Sequence, residues 1–258
     1  MGKKEIRLVI SGTYSTGKTT TTTALSIATG IPLINALSAR EILTDLYPGH
    51  RFQDMNATEL LALGLKRMEE RIREEMALYQ NSGSFISDGS VMNEWIYGTV
   101  RMKVGINPGS SFSHRMAKAV LGLPARGFFK KYLDAYGQVA NQHAKQWYTD
   151  AVHLPIEFEM DSDGHRPVSE KYRVLSDQEL KNAFISIGLE PNLVTGNQIE
   201  RVKKIVELYH LPLVVPVEEA VKLAQTRIQK NREAVAQRII EQYSEPGLKE
   251  KFLIMTKY

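Results

Sequence analysis

Residues 12–19 read Gly-Thr-Tyr-Ser-Thr-Gly-Lys-Thr, a complete match to the phosphate-binding pattern G-x-x-x-x-G-K-[ST]. An apolar run, Glu5–Ile10, precedes it through Ser11, and a helix-type segment from Gly17 to about Thr29 follows. Each part of the pattern has a physical task. Glycines let the backbone turn so that successive N–H groups of Gly12, Thr13, Tyr14, Ser15, Thr16 and Gly17 face phosphate oxygens. The start of the helix, through Thr20, adds partial positive charge. Lys18 reaches the β- and γ-phosphates, and the Thr19 hydroxyl is a ligand for Mg²⁺. The bland alternative is a glycine-rich turn with an incidental lysine, and the strand–loop–helix setting argues against it.

Working outward, strands alternate with helices. Strand-type runs are expected at 5–10, 32–35, 84–88, 152–160, 192–194 and 211–215. Helices are expected over 17–29, 38–47, 57–80, much of 91–149, 177–188, 197–210 and 218–243. The long helix 57–80 carries Leu60, Leu61, Leu63, Leu65, Met68, Ile72 and Met76 on its apolar side. Alternation of this kind predicts an α/β fold: a P-loop NTPase with a parallel sheet of about five strands flanked by helices. The expected organisation is a P-loop domain over 1–215, with a helical insert at 101–148 and a lid at 161–173. A helical extension occupies 216–258.

Composition sets limits. The chain has 258 residues, a formal charge of +4 and no cysteine. That removes disulfides, thiolate nucleophiles and Cys-ligated metals, and makes a cytoplasmic setting the expectation. No apolar run approaches the roughly 18–20 residues needed to span a bilayer, so no membrane partner is expected. The first residues offer neither a signal-peptide core nor a myristoylation pattern. A pI near 9.1 suits a phosphorylated small molecule as well as nucleic acid, and nucleic acid is not expected. The basic and aromatic residues of 101–148 read as a solvated helical face. Self-association stays open. The six histidines show no metal-ligand spacing.

Asp88 ends the third strand-type run, where open parallel sheets place their ligands. An acid there can orient Mg²⁺ or accept a proton from an acceptor hydroxyl, and its sequence position serves both roles. The alternative is a helix N-cap. Glu94 and Tyr97 follow within two turns and are candidates to face the acceptor, as is Arg40 at another strand–helix junction. Arg166, in the polar loop Asp163–Pro167, is the candidate lid arginine that neutralises charge on the transferring group, with Arg173 as second choice. Thr195 and Gly196, at a strand end entering a helix, are candidates to lie against adenine. The guanine-reading Asn-Lys-x-Asp string is absent, and the D-x-x-G strings at Asp134 and Asp161 are too short to carry weight, so ATP is favoured over GTP. The chain is short for a ring-forming ATPase.

Several segments together resemble a known group. SGTYSTGKTT, SARE, FISDGSVMNEWIYG, LPIEFEMDSDGHRP with Tyr172-Arg173, and LVTGNQIERV resemble the bacterial P-loop proteins grouped with the ribosylnicotinamide kinase domain of the NAD regulator. The resemblance spans about residues 5–210. It implies that Gly12–Thr20 bind ATP and Mg²⁺, that Asp88 lies between metal and acceptor, that Arg166 belongs to a lid, and that Thr195-Gly196 lie near the base. The adenylyltransferase and DNA-binding domains of that regulator have no counterpart, and 101–148 matches nothing in it. The function this implies is transfer of the ATP γ-phosphoryl group to a hydroxyl of a small, nucleoside-like metabolite. The alternative is an ATP-binding regulatory ATPase acting on a protein or nucleic-acid partner.

Overall fold

A computed structural model of the chain describes residues 5–34, 39–50, 55, 57–104, 123–158 and 169–242. Five strands, β1 (Arg7–Ser11), β2 (Leu33–Ile34), β3 (Phe85–Asp88), β4 (Asp150–His153) and β5 (Asn192–Leu193), form one sheet in the order β2-β3-β1-β4-β5. Every pairing is parallel. Eight helices lie among the described residues: α1 (Lys18–Thr29), α2 (Ala39–Leu46), α3 (Ala57–Ser82), α4 (Met92–Val104), α5 (Leu123–Trp147), α6 (Glu170–Ser186), α7 (Gln198–Tyr209) and α8 (Val217–Gln242). None is long and apolar enough to cross a membrane.

Side-chain alternation along each strand builds two cores. Leu8, Ile10, Ile86 and Val152 point to one face, where α1, α7 and the first turns of α8 cover them. Val9, Phe85 and Ala151 point to the other, beneath α4, α5 and α6. Two glycines bring α4 and α5 together: a Cβ on Gly98 would meet Leu133, and one on Gly137 would meet the Trp95 ring. The strand order makes β1 central. Chain connections leave it in both directions, which opens a crevice beyond its carboxyl end.

Several expected boundaries shift. The strand expected over 152–160 is Asp150–His153. Leu154 N–H still donates to the Ser11 carbonyl, but Pro155 has no N–H with which to continue the ladder. The segment 211–215 is not a strand. Its Val214 and Val215 N–H groups both donate to the Ala28 carbonyl, which ties it to the end of α1. The helix expected from 177 begins at Glu170, because the Ser169 side chain caps it by accepting from Tyr172 N–H. On α3, Leu65 and Met76 are exposed, and the buried stripe runs through Leu63, Met68, Arg71 and Glu75 instead. The helix expected as an extension buries Val217, Ala220, Val221 and Ala224 in the same core as α1.

A carboxylate at Ala224 would be desolvated between α8 and α1 without a partner, at a cost of several kcal/mol. Ala224→Glu is therefore expected to lower the urea midpoint strongly. A wild-type midpoint would show that α8 is not part of the folding unit.

Candidate active site

The loop between β1 and α1 winds through left-handed backbone at Ser15 (φ 55°) and Gly17 (φ 81°). This winding turns its N–H groups toward one centre. It also turns carbonyls outward, and each of these has a receiver. Lys18 Nζ donates to the Thr13 carbonyl at 2.5 Å, and Thr16 Oγ1 donates to it at 3.0 Å. Arg173, 1% exposed, donates from Nε to the Tyr14 carbonyl at 3.0 Å and from Nη2 to the Ser15 carbonyl at 3.3 Å. Arg201, fully buried, donates from Nη1 to the Thr16 carbonyl. A Cβ on Gly17 would lie 2.5 Å from Gln198 Nε2, so no other residue fits between the loop and α7 without a shift.

Beneath the loop, buried His153 bridges Ser11 Oγ (3.3 Å) and Asp177 Oδ1 (3.0 Å). Burial pushes the Asp177 carboxyl up. The His153 hydrogen bond and charge, with Lys181, outweigh that and hold it below its ordinary value.

Strand pairing sets Asp88 opposite Ile10, next to the loop's entry. The Thr19 hydroxyl donates to Asp88 Oδ2 at 2.7 Å. A hydroxyl oxygen and a carboxylate oxygen side by side form a hard donor set that fits Mg²⁺, with phosphate oxygens completing the shell. The turn carrying Asp88 is held on every side. Buried Arg71 donates to Ser87 Oγ (2.7 Å), the Asp88 carbonyl (2.9 Å) and the Gly89 carbonyl (3.2 Å). Gly89 N–H donates to the Ile10 carbonyl. Asn93 Oδ1 accepts from Ser90 N–H at 2.8 Å, and Tyr148 OH accepts from Val91 N–H at 3.1 Å. That phenol donates in turn to buried Glu75 at 2.8 Å, and Glu75 also bonds His143 Nε2 at 2.6 Å. Burial, then the Glu75 charge, pushes the Tyr148 phenol well up, so it stays a donor.

A largely buried aromatic cluster packs beside the loop, between it, α4 and α6. Tyr14 stacks on Tyr97 with centroids 4.7 Å apart and on Tyr172 at 6.1 Å, and Tyr172 OH donates to the Tyr97 carbonyl. Glu94 is paired with Arg67. Arg101 lies over the Tyr172 ring, 5.9 Å from its centroid. Glu94, Tyr97 and Arg101 share one face of α4, at helical spacings of three and four.

The opposite side is ionic. Glu157 pairs with Arg201 and accepts from Gly196 N–H at 3.1 and 3.2 Å. Burial raises the Glu157 carboxyl, but Arg201 and the Gly196 N–H outweigh it and hold it low. Lys204 Nζ donates to the Thr195 carbonyl at 2.8 Å.

The structure thus brings Asp88 to the loop Gly12–Thr20, while Glu94 is paired with Arg67 and Thr195-Gly196 lie beyond Glu157 and Arg201. Tyr97, expected to face the acceptor, is instead buried in the core, its phenol accepting from Asn93. Arg173 is a further correction. Expected as the second choice for the lid arginine at the acceptor, it sits under the loop with its guanidinium on the Tyr14, Ser15 and Phe158 carbonyls. Arg40 opens α2, with its side chain outside the described set, and Arg166 and the rest of 159–168 lie outside the described residues. Sequence reasoning missed Arg71, Glu75, Tyr148 and Arg201. The one available signal was the spacing of Arg71 and Glu75, which continues the buried stripe of Gly64 and Met68.

A family model described as an AAA domain matches residues 7–201. No curated protein matches the chain. Among solved structures, the fold is similar to that of a deoxyadenosine kinase from M. mycoides with bound dATP: TM-score 0.56 and 13% identity, over 80% of this chain and 100% of that one. A second structure of that enzyme, with products dCMP and a flexible dCDP bound, gives a TM-score of 0.50 at 13% identity, over 80% and 97%. At this identity the likeness is one of fold.

A depressed carboxyl stabilises the fold above its unfolded pKa and loses that contribution as pH falls through the folded value. Asp177→Asn should therefore cost most at neutral pH. Its stability gap to wild type should shrink as pH falls from about 5 to about 3. A pH-independent gap in urea midpoints would show that ionisation of Asp177 contributes nothing.

Proposed function

We propose, from the premise that this chain belongs to the AAA-domain family of P-loop NTPases, that it is an ATP- and Mg²⁺-dependent phosphotransferase acting on a hydroxyl of a small, nucleoside-like metabolite. The observation that carries this reading is the pairing of Thr19 with Asp88 at the mouth of the loop, at the carboxyl end of the central strands. A bare NTPase needs the loop and the metal-orienting acid. An acid held this rigidly by Arg71 is also placed to meet the hydroxyl of a second reactant. Nicotinamide riboside is one acceptor of this class, and the deoxynucleoside handled by the structural neighbour is another.

The chain's residues divide the work. Loop N–H groups hold the β- and γ-phosphates, and the Lys18 ammonium exchanges the Thr13 carbonyl for a phosphate oxygen. Mg²⁺, held through Thr19 Oγ1 with Asp88, would supply further neutralising charge on those oxygens. Asp88, fixed by the Arg71 clamp on its turn, either receives the proton of the attacking hydroxyl or orients the metal's water. The acceptor oxygen bonds to the γ-phosphorus as the bond to ADP breaks, and proximity supplies much of the rate. Arg166 is proposed as the lid arginine that meets the transferring group. A small-molecule kinase of this kind needs no membrane or nucleic-acid partner, and a cytoplasmic setting suits it.

Incubation with γ-labelled ATP and a fractionated metabolite pool should yield one new labelled species, absent in Lys18→Ala and in Asp88→Ala. Label released only as free phosphate, unchanged by every fraction, would favour the regulatory ATPase. Full transfer by Asp88→Ala would remove that residue from the mechanism.

A further inference from the structure

Phe158 is 44% exposed at the edge of the P-loop. A single exposed aromatic is ordinary, but this one is fixed by the machinery that shapes the loop. Arg173, which receives the Tyr14 and Ser15 carbonyls, also donates from Nη2 to the Phe158 carbonyl at 2.7 Å. Arg201, which receives the Thr16 carbonyl, lies against one face of the Phe158 ring, 5.1 Å from its centroid. Two buried arginines therefore hold the loop and this ring in one fixed relation. The ring stands next to Glu157, whose carboxylate reaches Gly196, at the end of the crevice away from Asp88.

A second observation concerns the groups that would read a base there. The Gly196 N–H is engaged by Glu157, and the Thr195 carbonyl accepts from Lys204. The Asn197 N–H is engaged by Glu200, and the Asn197 side chain caps α7. The Gly196 and Asn197 N–H groups are thus satisfied within the protein, which leaves the turn less to offer the edge of adenine.

We infer that the base of the donor nucleotide is held by stacking on the open face of Phe158, with Arg201 behind the ring, rather than by edge hydrogen bonds at Thr195-Gly196. This inference rests on the nucleotide site proposed above. Stacking of a base on an aromatic side chain tolerates any base, because every base offers a π-face. The site accordingly takes purine nucleoside triphosphates with little discrimination. Phe158, backed by Arg201, then marks the donor-base side of the loop, and Asp88 its other side.

The test separates base from phosphates. Binding of ATP, GTP and inorganic tripolyphosphate, each with Mg²⁺, is measured by calorimetry on the full chain and its variants. Phe158→Ala should weaken ATP and GTP about tenfold and leave tripolyphosphate unchanged, and Phe158→Tyr should restore both nucleotides. Wild type should bind ATP and GTP within a few-fold of each other, and Lys18→Ala should weaken all three ligands. Unchanged ATP binding by Phe158→Ala, an equal loss for tripolyphosphate, or strong preference for ATP over GTP would overturn the inference, as would failure of wild type to bind ATP. Failure of the kinase reading looks different: no acceptor is labelled while the Phe158 pattern stands.

Discussion

The outward-facing carbonyls of residues 13–16 are the constraint on which the rest of the site depends. A loop that aims its N–H groups at one centre must aim its carbonyls elsewhere, and a buried carbonyl without a partner costs about 1–3 kcal/mol. Here Lys18, Arg173 and Arg201 receive them. The last two come from α6 and α7, more than 150 residues along the chain from the loop they serve. The shape of the phosphate cradle therefore depends on α6 and α7 being packed against it. Arg201 in turn needs Glu157 as its counter-ion, and Glu157 needs the Gly196 turn. Loop, β4 exit and β5 turn are one network of charge-assisted bonds.

A second network serves the acid on the other side of β1. Arg71 clamps the carbonyls around Asp88, and Glu75, one turn further on, collects Tyr148 and His143. Placing Arg71 and Glu75 on the buried stripe of a helix is costly unless every donor and acceptor is answered, and in this fold they are answered chiefly by β3, the turn after it and α5. The return is positional. Asp88 stands 2.7 Å from Thr19 because its backbone has no freedom to leave.

These networks mark the boundary of what the sequence alone reveals. The P-loop and Asp88 were legible because their signals are local: a pattern of eight residues, and an acid closing an apolar run. The sheet was legible because strand and helix periods alternate cleanly. Arg173 was read as a ligand because a surface-type residue beside a loop motif has two fates, and only the folded chain brings its guanidinium to Tyr14 and Ser15. Arg71 and Glu75 carried no motif at all. Their role comes from contacts with residues 16 to 73 positions away, which no window of sequence contains. The strand expected through 160 failed at Pro155, and its proline was already visible as a warning.

The two edges of the sheet bear on another aspect of the molecule's life. Among the described residues β2 and β5 are two residues each, so each described edge offers a short row of unpaired backbone groups. A longer edge would act as a template on which a neighbouring chain adds a strand, and abbreviating it is one way natural sheets blunt that tendency. The central strands, which are apolar and would be hazardous if exposed, are enclosed between these short margins and two layers of helix. The architecture that opens a crevice at the middle of the sheet thus also limits the templates for strand addition at its described sides.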